Sequence, residues 1–203
     1  MMHNIPKSNA DRLSYVLDFA WEIFFERVAA GRIKINKESS MQLHYSAILH
    51  GLGELMCIQP NETFTIELES AYGRRNIDIT CSYDDVKGAV ELKCFRKRSN
   101  RATDTDMYDV LKDVERLLSY NDFQVRKFIC LTDNSYYFKG THSGHAGTVS
   151  IRNGTQYRQG VPICPSWVGK WKDKSRDSPI HLSKDVSFNW EEKNGWYCLK
   201  FDL

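Results

Sequence analysis

Two short runs carry the reading of this chain: NIDITC at residues 76–81 and GAVELKCF at residues 88–95. Both alternate their side chains with the period of a β-strand. In the first, Ile77, Ile79 and Cys81 face one way and Asp78 faces the other. In the second, Val90, Leu92 and Cys94 share one face, while Ala89, Glu91, Lys93 and Phe95 share the other. Asp84, Asp85 and Gly88 mark a turn between them, so the strands are expected as antiparallel neighbours. Asp78, Glu91 and Lys93 then meet on one face of a sheet.

Working outward, Phe64, Ile66 and Leu68 alternate with Thr65, Glu67 and Glu69, which predicts a strand over 63–70 and a three-stranded meander. Two helices are expected ahead of it. Ser8 and Asp11 form a capping box, after which Leu13, Val16, Leu17, Ala20, Phe24 and Val28 recur at helical spacing up to Gly31. A second helix starts near Asn36 and carries Met41, Tyr45, Leu49 and Leu52 on one face. Downstream, Asp104 and Asp106 open a helix lined by Met107, Val110, Leu111, Val114 and Leu117. It leads to a nearly all-apolar run at 125–132, the pattern of a strand buried on both faces, and a βαβ crossover is implied. From Gly140 the chain turns to Gly, Ser, Thr and basic residues, and 186–203 reads as a hairpin turning at Lys193, Asn194 and Gly195. The expectation is a single α/β domain over 1–203. It comprises an N-terminal helix (1–35), a core built on a central mixed sheet flanked by helices (36–138) and a β-rich C-terminal extension (139–203).

Composition narrows the class. The 203 residues hold 28 Lys+Arg against 26 Asp+Glu, with 41% hydrophobic and 12% aromatic residues, which excludes disordered, collagen-like and coiled-coil chains. A net charge of +2 excludes a histone-like polycation but leaves room for local basic patches. No run approaches the roughly 20 apolar residues of a membrane span, and residues 1–11 lack a secretory pattern. A cytoplasmic protein without membrane partners is expected. Cys57, Cys81, Cys94, Cys130, Cys164 and Cys198 stand singly and are read as reduced and structural.

The three charges on the central strands have a chemical reading. Asp78 and Glu91 can offer oxygen ligands to a hard divalent cation such as Mg²⁺, which is usually held by one or two carboxylates plus water and substrate phosphate. Lys93 can hold or polarise an attacking water beside it. Glu-x-Lys alone means little: about one copy is expected by chance at this length, and Glu191 with Lys193 forms a second at the hairpin turn. The first copy differs in lying within an apolar strand beside a strand that bears a carboxylate on the same face. Ordinary cross-strand charge pairing is the bland alternative.

The order of helix with an acid, strand, strand with Asp, strand with Glu-x-Lys, crossover helix and strand resembles the PD-(D/E)XK nuclease superfamily over about residues 36–132. That superfamily includes restriction endonucleases and archaeal Holliday junction resolvases. The resemblance implies a restriction-endonuclease-like core and a Mg²⁺-dependent DNA endonuclease, with Mn²⁺ as a substitute ion, acting in restriction, defence or DNA processing. It implies Asp78, Glu91 and the backbone carbonyl of Leu92 as metal ligands and Lys93 as the residue that activates water. For the family's helical acid, Glu38 lies on the buried stripe of the second helix and is preferred to Glu54, with Gln42 one turn later as a polar supplement. No Pro precedes Asp78, and no Gln-x-x-x-Tyr helix follows. A catalytically silent nucleic-acid-binding module and a ribonuclease are the competing readings.

Basic residues bracket the motif. Arg74 and Arg75 lie before Asp78, and Arg96, Lys97, Arg98 and Arg101 follow the Glu-x-Lys strand, a strip suited to a phosphate backbone. Residues 152–176 mix Arg152, Arg158, Lys170, Lys172, Lys174 and Arg176 with Tyr157, Trp167 and Trp171, which suits backbone contact and base stacking. A zinc set from His142, His145, Cys130 and Cys164 is disfavoured, because only HSGH is a tight ligand pair. Duplex cutters of this kind often work as homodimers, for which the first helix, with Trp21, Phe24 and Phe25, is long enough to form an interface; it could equally cover the sheet. No phosphate-cradling glycine loop and no Ser or Cys nucleophile motif is present.

Overall fold

The computed structural model describes residues 6, 8–98, 102–139, 149–166, 176 and 178–203. Its elements, in chain order, are α1 (Asn9–Ala29), α2 (Glu38–Leu55), β1 (Phe64–Tyr72), β2 (Arg75–Tyr83), β3 (Val86–Phe95), α3 (Thr103–Leu118), β4 (Val125–Thr132), α4 (Tyr136–Lys139), β5 (Gln156–Tyr157), β6 (Val186–Ser187), β7 (Trp190–Lys193) and β8 (Trp196–Asp202). The fold is mixed α/β. A six-stranded mixed sheet flanked by helices runs in the order β1-β2-β3-β4-β8-β7, and β5 pairs with β6 in a small second sheet. The expected C-terminal extension therefore supplies two strands of the main sheet, which gives Cys198, Leu199 and Phe201 a buried setting. By packing the chain divides into two units. One comprises Met1–Leu92, Asn121–Lys127 and Asp202, the other Lys93–Tyr120, Phe128–Phe201 and Leu203.

In the first unit, Ser8 caps α1: its Oγ accepts the Asp11 N–H at 3.1 Å and donates to Asp11 Oδ2 at 2.6 Å. The apolar stripe of α1 is fully buried, and the Tyr45 hydroxyl of α2 donates to Leu17 O at 3.0 Å. Trp21 and Phe24 meet Tyr45 at ring-centroid distances of 5.7 and 6.1 Å. Trp21, Phe24 and Phe25 are 3%, 0% and 3% exposed, so the apolar face expected to serve a second copy is covered within its own unit.

Gly53, near the end of α2, has a packing role. A Cβ there would lie 2.1 Å from the buried Phe64 ring that opens β1. Gly53→Ala is expected to lose about 1–3 kcal/mol of stability through overpacking. Gly51→Ala, where an added methyl meets nothing within 4 Å, should be neutral or stabilising by up to about 1 kcal/mol. Thermal melting of the two variants checks this contrast, and equal melting temperatures would refute it.

A polar clamp joins α1, the 58–62 turn and β2. Arg12 Nη1 donates to Glu62 Oε1 at 2.6 Å and to the Tyr83 hydroxyl at 3.0 Å, and that hydroxyl donates to Met56 O at 2.8 Å. Glu62 also accepts the N–H groups of Gln59 at 2.8 Å and Ile58 at 2.6 Å. These bonds, the one from Gln59 foremost, hold the Glu62 carboxyl down at about 2 against an ordinary 4.5. A depressed acid stabilises the fold above its unfolded pKa and loses that contribution as pH falls through the folded one. Melting temperature should accordingly drop between pH 4.5 and 2, and Glu62→Gln should lower it at neutral pH while flattening that drop. An unchanged acid profile in the variant would exclude the clamp as its source.

Lys127 of β4 is 0% exposed, and its Nζ is held by Asp18 Oδ2 at 2.9 Å and by Asp202 Oδ1. A cation so deeply buried is tolerable only with such partners.

In the second unit, Met107, Val110, Leu111, Val114 and Leu117 of α3 and Phe128–Leu131 of β4 are all 0% exposed. The Tyr137 hydroxyl donates to the buried Asp106 at 2.6 Å, and its ring stacks on Phe95 at 4.8 Å. The β7–β8 hairpin turns through Asn194 at φ 50° and Gly195 at φ 79°, the left-handed pair of a two-residue hairpin loop. All six cysteines are free, as expected, and burial pushes the Cys81 thiol up to about 12. No helix among the described residues is long and apolar enough to cross a membrane.

Candidate functional site

The meander forms as its alternation predicts. β1 and β2 pair antiparallel from Phe64↔Tyr83 to Tyr72↔Arg75, and β2 and β3 from Tyr83↔Val86 to Ile79↔Val90. Extending both registers by one step places Asp78 opposite Glu91 on one side and opposite Glu69 on the other. Ladder pairing lapses at this row. The Leu92 N–H donates to Asp78 Oδ2 at 2.6 Å, so a carboxylate replaces a backbone acceptor. In an antiparallel ladder a residue's N–H and C=O point to the same neighbour, so the Leu92 carbonyl is directed to that side too.

From α2, Gln42 Nε2 donates to the Asp78 carbonyl at 2.8 Å and to Glu69 Oε1 at 2.9 Å. The residue read as a polar supplement thus contacts the Asp78 backbone directly. Glu38 is half-buried at the first position of α2, and Glu54 is exposed. Glu69 is the participant that sequence reasoning missed. It sits at φ 54°, a left-handed conformation unusual for a non-glycine residue, at the point where the ladder is interrupted.

Glu91 is 2% exposed and Asp78 half-buried. Two residues along β3, Lys93 is half-buried, and its Nζ lies 2.7 Å from Asp113 Oδ2 of α3. Asp113 Oδ1 in turn lies 2.6 Å from Arg116. No family model, curated protein or solved structure matches this chain.

The donor set suits a hard cation in kind: two carboxylates in register and a backbone carbonyl, all oxygen. Among the described residues no three His, Cys, Asp or Glu side chains converge as a metal site. The positive φ of Glu69 and its bond to Gln42 help explain why the aligned row does not close into such a trio. Asp78, Glu91 and main-chain oxygen are the groups at this row whose chemistry would suit such an ion.

The basic residues sort unequally. Arg74, Arg75, Lys97 and Arg98 are exposed. Arg96 is engaged within its unit: its Nη2 donates to Asp133 at 2.8 Å, and its guanidinium lies 4.7 Å from the Trp196 ring centroid. Burial pushes the Asp133 carboxyl up, but the bonds from Arg96 and the Lys97 N–H bring it below its ordinary value. In the 152–176 segment, Arg176 grips Asp109 through two bonds of 2.9 and 3.0 Å, the half-buried Tyr157 hydroxyl bonds Ser150, and Arg158 is exposed. Arg101, His142, His145, Trp167, Lys170, Trp171, Lys172 and Lys174 lie outside the described residues.

Proposed function

We propose that this chain is a Mg²⁺-dependent DNA endonuclease of the PD-(D/E)XK kind, with a restriction-endonuclease-like core. The observation that carries the reading is the β2–β3 register, paired as far as Ile79↔Val90, whose next step would set Asp78 against Glu91, with Glu91 buried in an apolar strand and Lys93 two residues beyond. Mg²⁺, or Mn²⁺ in its place, would supply a Lewis acid and an acidified water at that row. Asp78 and Glu91 would hold such an ion, together with the Leu92 carbonyl. The Leu92 N–H fixes the tilt of the Asp78 carboxylate, and Gln42 fixes the backbone behind it. Lys93, its ammonium oriented by Asp113, holds the water that attacks the phosphorus. Glu38 adds a carboxylate from the first turn of α2. Arg74, Arg75, Lys97 and Arg98 contact substrate phosphates, and Arg96 shapes its own strip from within. Six free thiols suit a reducing cytoplasm. A twofold dimer on duplex DNA would use a surface other than the covered aromatic face of α1.

The test is incubation of the protein with plasmid, linear and single-stranded DNA and with RNA, in Mg²⁺ or in EDTA. Cleavage of DNA that EDTA abolishes is the expected result. Binding without cleavage of any substrate would refute the enzyme and leave a binding module, and cleavage of RNA alone would make it a ribonuclease.

A further inference from the structure

Beside the Asp78 row, the meander carries a groove of about 570 Å³. It lies within the first unit. Ile77, Ile79, Cys81 and Tyr83 of β2 are buried, whereas Asp78, Thr80 and Ser82 alternate with them and are half-buried on the other face. The register continues that face onto the neighbouring strands through Thr65↔Ser82↔Lys87 and Glu67↔Thr80↔Ala89.

The lining is specific in its chemistry. Thr65 Oγ1 and Ser82 Oγ are 2.7 Å apart, and Ser70 Oγ and Thr80 Oγ1 are 2.6 Å apart. Each bonded hydroxyl pair uses one of its two O–H groups, so each leaves a second to donate outward. The exposed Lys87 adds an ammonium at one end, and Arg74 and Arg75 stand in the turn beyond Tyr72 at the other. Between them the Tyr72 and Phe123 rings meet at 5.6 Å and 62°, with the Tyr72 hydroxyl anchored on Asp122 at 2.8 Å. Glu67 provides a single acceptor, suited to base amino groups and unsuited to phosphate.

Donors and cations at the ends, pinned aromatic rings and one acceptor make a nucleotide-binding lining. The volume is that of a small-ligand site, enough to seat an unpaired nucleotide segment. Its position decides the rest. At about 3.4 Å per residue, Thr80 and Ser82 lie about 7 and 14 Å along β2 from Asp78, on the same face. A strand whose phosphate sits at Asp78 passes over them.

The geometry points to this groove as the binding site for an unpaired stretch of the substrate strand, which makes the substrate class DNA with a single-stranded tail, flap or frayed end. This rests on Asp78 and Glu91 being the nuclease centre. The full chain is titrated with blunt duplex, the same duplex with a single-stranded tail, and single-stranded oligonucleotide, with Ca²⁺ in place of Mg²⁺ so that binding is read without turnover. Cleavage of the same DNAs is read separately in Mg²⁺. Tailed duplex should bind at least about tenfold tighter than blunt, and Phe123→Ala should remove about tenfold of that affinity through lost stacking. Lys87→Ala, an exposed change that leaves the fold intact, should lower the slope of log affinity against log salt by about 0.7 on the single strand. Cleavage without a tail preference, or variants that bind like wild type, would overturn the groove and leave the nuclease standing. A tail preference that both variants diminish, with no cleavage in Mg²⁺, would overturn the nuclease and leave a single-strand-binding groove.

Discussion

Asp78→Asn and Glu91→Gln are each expected to reduce Mg²⁺-dependent DNA cleavage by at least about a thousandfold. Several kcal/mol of transition-state stabilisation depend on the metal, and each 1.4 kcal/mol or so is a factor of ten. The amide replacements are chosen for what the site does besides bind an ion. Asp78 accepts the Leu92 N–H, so Asp78→Ala would leave that donor without its partner and lose about 1–3 kcal/mol of stability for a reason unrelated to catalysis. Asp78→Asn keeps an acceptor and removes only the charge. Two carboxylates facing each other across a ladder repel when no cation lies between them. In EDTA both amide variants should therefore melt at or above the wild-type temperature, while calorimetry with Mg²⁺ shows lost binding. A variant that fails to fold in both positions would make the carboxylates structural, and one that cleaves normally would remove them from the chemistry.

Lys93→Ala should lower turnover by about a hundredfold or more while DNA binding in Ca²⁺ stays within about twofold of wild type, as expected for a group that acts on the water. The fold should survive, because Asp113 keeps Arg116 at 2.6 Å when the lysine is gone. Asp113→Ala is the harsher change: it removes the nearly buried carboxylate that both Lys93 and Arg116 contact, and should lower the melting temperature more than Lys93→Ala does. Lys193→Ala serves as the contrast. Lys193 ends β7 at the hairpin turn, and its Glu-x-Lys lies in a strand whose Glu191 and Glu192 are exposed. Cleavage should be unchanged there. Equal losses at Lys93 and Lys193 would show that strand context does not distinguish the two copies.

Much of this arrangement was legible in the residues because burial imposes a period. The run at 125–132 is a strand with seven of its eight positions buried, as its apolar stretch Phe128–Leu131 suggested. The central strands were readable because Ile77, Ile79 and Cys81 had to face helices while Asp78 could not. By helix propensity Gly53 is a weak position in α2, whereas its missing side chain is what admits Phe64, a tertiary fact that propensity cannot express. Glu69 was half visible. A tight turn at Gly73 and Arg74 pairs Tyr72 with Arg75 and by counting sets Glu69 against Asp78, but the left-handed backbone that interrupts the ladder there has no signature in glutamate. Arg96 shows the opposite failure. As a member of a basic run it looked solvent-facing, and only the fold brings Asp133 and Trp196 to it. The α1 aromatics were ambiguous for the same reason, since a stripe meant for Tyr45 and one meant for a second copy look identical in one dimension.

The Lys127 ion pair ties together distant parts of the chain. The unit it belongs to comprises residues up to 92, gains β4's first residues at 125, and receives the Asp202 carboxylate from 75 residues beyond Lys127. Until then the ammonium has Asp18 alone among these two acids, and full burial of β4 is electrostatically premature. Closing this cluster is therefore a long-range step: β4 reaches its fully paired burial only when a carboxylate 75 positions further along the chain has come back to it.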